Sequence, residues 1–176
     1  MSRRCRVTIG CLFVFLCASC IAASPRTEFE QSFIGLEWEF SYPEWNRHPI
    51  SEECKHTQKF ELYRGQKPLA DLSVDSFVCN GRYLELFGQF TLEGKIKVVD
   101  ALVLPKFGPG ELLMRSGDCE LNGSIDTDFF AIVRLGRREK VDWRTGIRAA
   151  WYPNPDTLTI ESLSTRHIVC WRPTPP

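Results

Sequence analysis

Hydrophobic and polar residues alternate over several short segments of this chain, and this period of two predicts β-strands. In the first such segment, residues 33–42, every second side chain is apolar. Successive side chains of a strand point to opposite faces, so one face of this strand is expected to line either a packed core or a cavity. Its apolar residues are Ile34, Leu36, Trp38, Phe40 and Tyr42.

Further segments with the same period follow, separated by turn residues such as Asn80-Gly81, a strong hairpin signal. The alternation of apolar and polar positions shifts by one residue between Val98 and Val99, which predicts a β-bulge. After Trp151 the prolines of YPNPDTLTIESL predict the end of a strand, followed by a short helix capped by Asp156. The predicted later strands cover residues 54–63, 69–79, 83–92, 96–104, 111–115, 125–135 and 141–151.

This strand spacing predicts an all-β fold, either an antiparallel barrel or a sandwich. A barrel is favoured, since closure removes the exposed edges of a sheet. No linker or repeat divides the chain, so residues 24–176 are interpreted as a single domain.

Residues 1–23 are predicted to be a secretory signal peptide. Basic residues from Arg3 to Arg6 precede an apolar run and then the small residues of ASCIAAS, with cleavage after Ala23. The prediction for the mature chain is therefore secretion, with no membrane span. A bacterial periplasmic protein, or a lipoprotein anchored at Cys20, remains an alternative.

Charge and cysteine content narrow the class of protein further. The chain has 22 basic and 22 acidic residues, which gives no case for nucleic acid as a partner. Outside the predicted signal lie Cys54, Cys79, Cys119 and Cys170. An even number of cysteines in an exported chain predicts two disulfides, although spacing does not choose among the three pairings.

Little in the sequence points to catalysis, and no cofactor or metal is predicted. The three histidines, His48, His56 and His167, are scattered and are interpreted as surface or loop residues. The acidic residues Glu120, Asp126 and Asp128 are interpreted as turn residues that bond the backbone. No nucleophile, zinc or phosphate motif is found, so the chain is predicted not to be an enzyme.

Asn122-Gly123-Ser124 is a sequon for N-glycosylation, which predicts a glycan on Asn122 if the source is eukaryotic.

Two motifs occur in order along the chain: Gly35-Leu36-Glu37-Trp38 and, about ninety residues later, Thr127-Asp128-Phe129. With the signal peptide, the strand count and the terminal cysteine, they resemble the lipocalin family, in the style of apolipoprotein-D-like members. The resemblance spans about residues 30–170 and implies an up-and-down barrel of eight strands, or nine if residues 69–79 form one. Trp38 would plug the closed end, with Arg148 or Arg166 stacked on it.

The lipocalin resemblance also implies a pairing of Cys54 with Cys170 and of Cys79 with Cys119. It implies a carrier that holds a small hydrophobic molecule, of the fatty acid, sterol, retinoid or pigment class, inside the barrel. The candidate polar groups that would orient this ligand are Tyr42, Tyr83 and Thr145. The predicted ligand-binding residues are Trp38, Phe40, Tyr42, Phe60, Leu84, Leu86, Phe90, Val133 and Trp143.

Two alternatives remain open at this stage. The chain is alternatively a secreted protein-binding module or protease inhibitor that acts through the N-terminal arm SPRTEFEQS and the loop containing Trp45. A filled interior favours this alternative, and an apolar cavity of a few hundred Å³ favours the carrier. The other alternative is a lipocalin-type isomerase, which would need a free cysteine; four cysteines in an oxidising compartment argue against one.

Overall fold

The computed structural model describes residues 25–39, 54–64, 67–125 and 128–173, and these residues form an antiparallel β fold. One helix is described, α1 (Glu28–Gln31). The strands of the described residues are β1 (Glu37–Glu39), β2 (Cys54–Arg64), β3 (Lys67–Cys79), β4 (Arg82–Phe90), β5 (Lys95–Val103), β6 (Glu111–Arg115), β7 (Cys119–Leu121), β8 (Phe130–Arg134), β9 (Lys140–Asp142), β10 (Ile147–Asn154), β11 (Thr159–Leu163) and β12 (Ile168–Trp171).

Several predictions fall on residues outside these ranges. They are the signal peptide with Cys20, the lining residues Phe40 and Tyr42, Trp45 and His48 of the first loop, and Asp126 and Thr127.

The strands form three antiparallel sheets. Sheet A has the order β1-β5-β4-β3-β2, sheet B the order β11-β10-β8-β6, and sheet C the order β7-β12-β9. The predicted all-β antiparallel class is therefore confirmed. Within the described strands, no set of ladders closes into one barrel, because β1 and β2 end sheet A while β11 and β6 end sheet B.

Sheet B is covered on both faces, and the alternation of β8 shows how. Phe130 and Ile132 pack against sheet A in what we call the central core. Ala131 and Val133 point the other way and pack against sheet C in the C-terminal core. Because all four side chains are fully buried, β8 reads as a continuous apolar run.

A third core, the N-terminal core, covers the other face of sheet A. Leu84 and Leu86 of β4 are packed there with Phe33, and Trp38 lies against the same cluster. The chain enters this core through α1, where Thr27 accepts a hydrogen bond from the backbone of Glu30 and the Glu30 side chain bonds the Thr27 N–H in return. This capping box fixes a helix of a single turn that propensity alone does not form.

Two local predictions for sheet A are confirmed. Asn80 and Gly81 connect β3 to β4 with φ of 50° and 76°, the left-handed conformation that suits a two-residue hairpin. The register between β4 and β5 shifts after Phe87, which pairs with Asp100 while Gly88 pairs with Val98. The skipped residue is Val99, so the bulge lies where the phase of the sequence slips.

The predicted C-terminal helix is wrong. Strand β10 continues through Pro153 to Asn154 and pairs with β11, which occupies the segment expected to be helical. Asp156 caps no helix; its N–H donates to the Asn154 side chain in the turn. The physical reason is burial: the hairpin places Ile160 in the central core, at 1% exposure.

The long strands predicted over residues 125–135 and 141–151 are shorter than expected. Of the first segment, the described residues form strand only in β8, and the second is interrupted by a turn at residues 143–146. Thr145 accepts a bond from the Asp142 N–H and donates to the Asp142 carboxylate, which closes this turn. An Asx-type turn of this kind competes with strand continuation.

The disulfide pairing implied by the lipocalin resemblance is also wrong. Cys54 is bonded to Cys79, and Cys119 is bonded to Cys170, not Cys54 to Cys170 and Cys79 to Cys119. In each observed pair the two cysteines are direct partners in a ladder, β2 with β3 and β7 with β12. The expected pairs would have joined residues of different sheets.

Candidate functional site

A cleft of about 410 Å³ opens where the outer strand of sheet A, β2, meets the turn after β6. Its volume lies in the range of small-molecule sites. The lining combines two exposed apolar side chains with several ionisable ones. The lining residues are Gln58, Phe60, Glu61, Tyr63, Arg115, Ser116, Gly117, Asp118, Ile125 and Asp128.

Arg115, the last residue of β6, forms the base of the cleft. Its guanidinium lies over the Phe60 ring, 4.1 Å from the ring centroid. The same group donates to Gln58 Oε1 at 3.3 Å and to the Ser76 hydroxyl. With 12% of its side chain exposed, Arg115 is held from β2, β3 and β4 at once and has little freedom to reorient.

Glu85 lies behind Arg115 and is fully buried. Its Oε2 accepts from Arg115 Nη2 at 3.2 Å and from Ser76 Oγ at 2.8 Å. Burial raises the pKa of Glu85, and the nearby Arg115 and Ser76 oppose that rise. Glu85 Oε1 and Arg115 Nη1 are buried without a hydrogen bond to the described part of the protein.

Asp128 forms the opposite rim. It accepts hydrogen bonds from the backbone N–H of Tyr63 and from the Ser116 hydroxyl, the latter at 3.4 Å. Burial raises the pKa of this carboxyl group, and the two hydrogen bonds oppose the rise. Asp128 therefore connects the end of β2 to the entry of β8 and the turn after β6.

The predicted ligand-binding residues within the described ranges do not meet around one cavity. Leu84 and Leu86 lie in the N-terminal core with Trp38, Val133 lies in the C-terminal core, and Phe60 packs against the central core. Two others are partly exposed and carry a cation on the ring. Lys59 lies 4.9 Å from the Phe90 centroid, and Arg144 lies 4.7 Å from the Trp143 centroid.

The residues predicted to orient the ligand or to close the end of the barrel are also dispersed. Tyr83 stacks on Phe107 beside the central core at 4.4 Å, and Thr145 lies in the exposed turn after β9. Arg148 pairs with Glu111 at 2.9 Å on sheet B, while Arg166 is exposed in the turn before β12.

The remaining candidates have local roles. His56 contacts the buried Asp75 at 3.2 Å, and His167 is exposed in a turn. Glu120 pairs with Val169 in the ladder of β7 and β12, so it belongs to a strand instead of the predicted turn. Asn122 is exposed at a two-residue turn with φ of 55°, where its N–H donates to the His167 carbonyl. This places the sequon on an accessible surface.

Sequence reasoning did not find the cleft. The sequence indicates a turn and a family-like motif at Asp128, and it does not single out Arg115 or Glu85. A signal for Glu85 was nevertheless present, because it interrupts the apolar segment Tyr83–Phe87 on a strand buried on both faces. A buried charge needs a partner, so a search for a cation would have been justified.

No helix of the described residues has the length and apolar character to span a membrane. The described residues also contain no group of three or more histidine, cysteine or acidic side chains that could hold a metal ion. The two disulfides are consistent with an extracellular or periplasmic location.

Comparison of the chain with protein-family models, with curated proteins and with solved structures finds no match. The lipocalin family thus remains a prediction. The first of its two motifs also departs from the pattern of the lipocalin family, in which one residue separates a glycine from a tryptophan, because two residues separate Gly35 from Trp38.

Proposed function

We propose that this chain is an exported, disulfide-stabilised binding protein that takes its ligand in the surface cleft between β2 and the turn after β6. The observation that carries the proposal is the cleft itself, of about 410 Å³, with exposed apolar side chains beside fixed polar ones. Tyr63 and Ile125 are 44% and 64% exposed at its mouth. Apolar surface next to oriented polar groups is typical of ligand sites.

The base of the cleft supports the proposal because it is pre-organised. Arg115 is held by Phe60, Ser76 and Glu85 before any ligand arrives, so binding does not have to order it. Side chains fixed in the free protein lower the entropy lost on association.

The rival is the carrier of the lipocalin resemblance, with a hydrophobic ligand inside a closed barrel. That function requires Leu84, Leu86 and Val133 to surround one hollow. These side chains are fully buried and belong to two different cores. The dispersal favours a surface site over an internal one.

Inhibition through the N-terminal arm has less support, because the described part of the arm is docked on its own protein. Arg26 bonds the Asp100 carboxylate and the Ile160 carbonyl, and Glu30 accepts from the Val103 N–H at 2.7 Å. The isomerase alternative lacks a thiol among the described residues, where all four cysteines are paired.

The proposal is tested by screening a library of small fragments against ¹⁵N-labelled protein and recording amide chemical-shift changes. Hits are expected to move the amides of Tyr63, Ser116 and Ile125. A fluorescent fatty acid is tested in parallel as a probe for an internal apolar site. Saturable fatty-acid binding that shifts Leu84 and Val133, with no hit at the cleft, would establish the rival.

Two tryptophan variants, one at the cleft and one at an exposed turn outside its lining, form a test and its matched control. Gly117 lines the cleft, and a Cβ placed on it meets no atom within 4 Å, so Gly117→Trp projects an indole into open space. Leu92→Trp adds the same side chain at a fully exposed turn. Fragment binding should be lost in the first variant and kept in the second.

A further inference from the structure

Several carboxylates with buried side chains in the described part of this protein are each paired with an arginine. Each pair places the basic nitrogen within hydrogen-bonding distance of a carboxylate oxygen. Such pairing offsets the cost of removing a negative charge from water. The pairs are Asp100 with Arg26, Glu85 with Arg115, and Glu111 with Arg134 and Arg148, while the buried Asp75 contacts the His56 imidazole.

Asp128 is half-buried and differs from these carboxylates in its partners. Its hydrogen-bond donors are the Tyr63 backbone and the Ser116 hydroxyl, both of which are neutral. Within the described residues no basic group pairs with it. Glu30 also lacks an ion pair, but it is satisfied by the backbone N–H groups of Thr27 and Val103 and lies in no cleft.

The other charged residues of the cleft do not compensate Asp128. Arg115 is already paired with Glu85, and the two remaining charged lining residues, Glu61 and Asp118, are acidic. Counting Arg115 and Glu85 as a neutral pair, the described residues that line the cleft carry an excess of negative charge. Beside these carboxylates lie the exposed apolar surfaces of Tyr63 and Ile125.

We infer that the cleft binds an amphipathic organic cation, with its ammonium group on Asp128 and its apolar part against Tyr63 and Ile125. This inference rests on the proposed function and names its ligand class. The cation would supply a counter-charge of the kind that arginines give to Asp100, Glu85 and Glu111, and the apolar part would cover the two exposed side chains.

The test uses three probes of nearly equal shape: benzylammonium, benzyl alcohol and benzoate. Each is titrated into ¹⁵N-labelled protein while the amides of Tyr63, Ser116 and Ile125 are followed. Benzylammonium is expected to bind most tightly and benzoate least. A lysine side chain of a protein partner offers the same chemistry, so blocked N-acetyl-Phe-Lys-amide is included; tighter binding of this dipeptide would assign the ligand to a protein.

Asp128→Asn removes the charge and keeps a similar shape, with an amide that can bond both Tyr63 N–H and Ser116. It should weaken benzylammonium binding roughly fivefold and leave benzyl alcohol unchanged, the effect of losing one partly exposed ion pair. Glu37→Gln removes an exposed charge from β1, at the opposite edge of sheet A from β2, and should change neither.

Acidification provides an independent readout. Since burial raises the pKa of Asp128, benzylammonium affinity should fall as the pH drops through that value, and Asp128→Asn should lack this step. The groups that face Asp128 or lie near it are Tyr63, Glu61, Arg115, Asp118 and, behind Arg115, Glu85. A Glu61→Gln variant that keeps the step excludes the exposed acid as its source.

The outcomes separate the two proposals. Equal binding of the three probes at the cleft, or an Asp128→Asn variant that binds benzylammonium as well as wild type, overturns the cation inference and leaves the cleft as a binding site. If neither these probes nor the fragment library moves the cleft amides, the proposed function falls as well.

Discussion

Substitution of Arg26 should destabilise the protein strongly, although the residue lies in the N-terminal arm outside every sheet. Asp100 of β5 is 5% exposed at its side chain and accepts from Arg26 Nε at 2.8 Å and from Arg26 Nη2. Arg26 also donates to the Ile160 carbonyl of β11 at 2.6 Å. The ion pair thus ties the arm to sheets A and B together.

The magnitude follows from these contacts in Arg26→Met, which keeps most of the aliphatic stem. Each charge-assisted hydrogen bond contributes about 1.5–3 kcal/mol, and removal of one partner of a buried pair typically costs about 3–5 kcal/mol. Asp100 keeps the N–H groups of Ile160 and Ala101 as donors, at 2.6 and 2.9 Å, which lowers the cost. We therefore expect a loss of about 3 kcal/mol in the free energy of unfolding.

Urea denaturation with linear extrapolation measures this loss. Arg134→Met is the matched control, since Arg134 is 59% exposed and its partner Glu111 retains Arg148. That variant should lose less than about 1 kcal/mol. In a cycle with Asp100→Asn, the two substitutions should be coupled by about 1–3 kcal/mol. A loss for Arg26→Met no larger than that of the control would refute the role given to the ion pair.

Three further predictions concern the disulfides, one glycine and pH. Peptide mapping without reduction should recover Cys54 linked to Cys79 and Cys119 linked to Cys170, and any crossed peptide would contradict the fold. Replacing each pair by alanine should lower the free energy of unfolding by about 3.5 kcal/mol for the 25-residue separation and by about 4 kcal/mol for the 51-residue separation. Gly146→Ala should lower the free energy of unfolding, measured in denaturant melts, by about 1–3 kcal/mol, because its Cβ would lie 2.6 Å from the Arg134 carbonyl oxygen. In the control variant Gly117→Ala the Cβ meets open space, so the free energy of unfolding should change by less than about 1 kcal/mol. Since the pKa of Asp128 is raised on folding, its contribution to stability is present below its unfolded pKa and is lost as the pH rises through its folded pKa. As the pH rises through that range, the free energy of unfolding of Asp128→Asn should therefore increase relative to that of wild type, as measured by denaturant unfolding at each pH. A difference between the two proteins that stays constant with pH would count against the assignment.

Much of sheet A was predictable because its signals are local. The period of two over residues 54–63 and 83–92, the Asn80-Gly81 turn and the slip at Val98-Val99 depend on neighbours in the chain, and β2, β3, β4 and β5 lie where they indicate. The C-terminal quarter was harder. Pro153 and Asp156 are helix signals in isolation, yet the pairing of β10 with β11 outweighs them by burying Ile160.

The cleft was not predictable for a related reason. Phe60 and Arg115 are separated by more than fifty positions in the chain, and Glu85 comes from a third strand. No periodicity relates these residues, since their contact depends on how sheet A packs against sheet B. The predicted lining failed to converge because Leu84 and Val133 have the alternation expected of an inward face, but their strands have a core on each side.

The amino-acid sequence by itself determined that this protein is built of antiparallel strands with two disulfides, because strand period, turn residues and cysteine number are properties of short segments and of composition. Only the tertiary structure decided which cysteines pair, which faces are buried and where the charged cleft lies. These depend on contacts between residues far apart in the chain, and alternation shows that a strand has two faces without showing what covers each one.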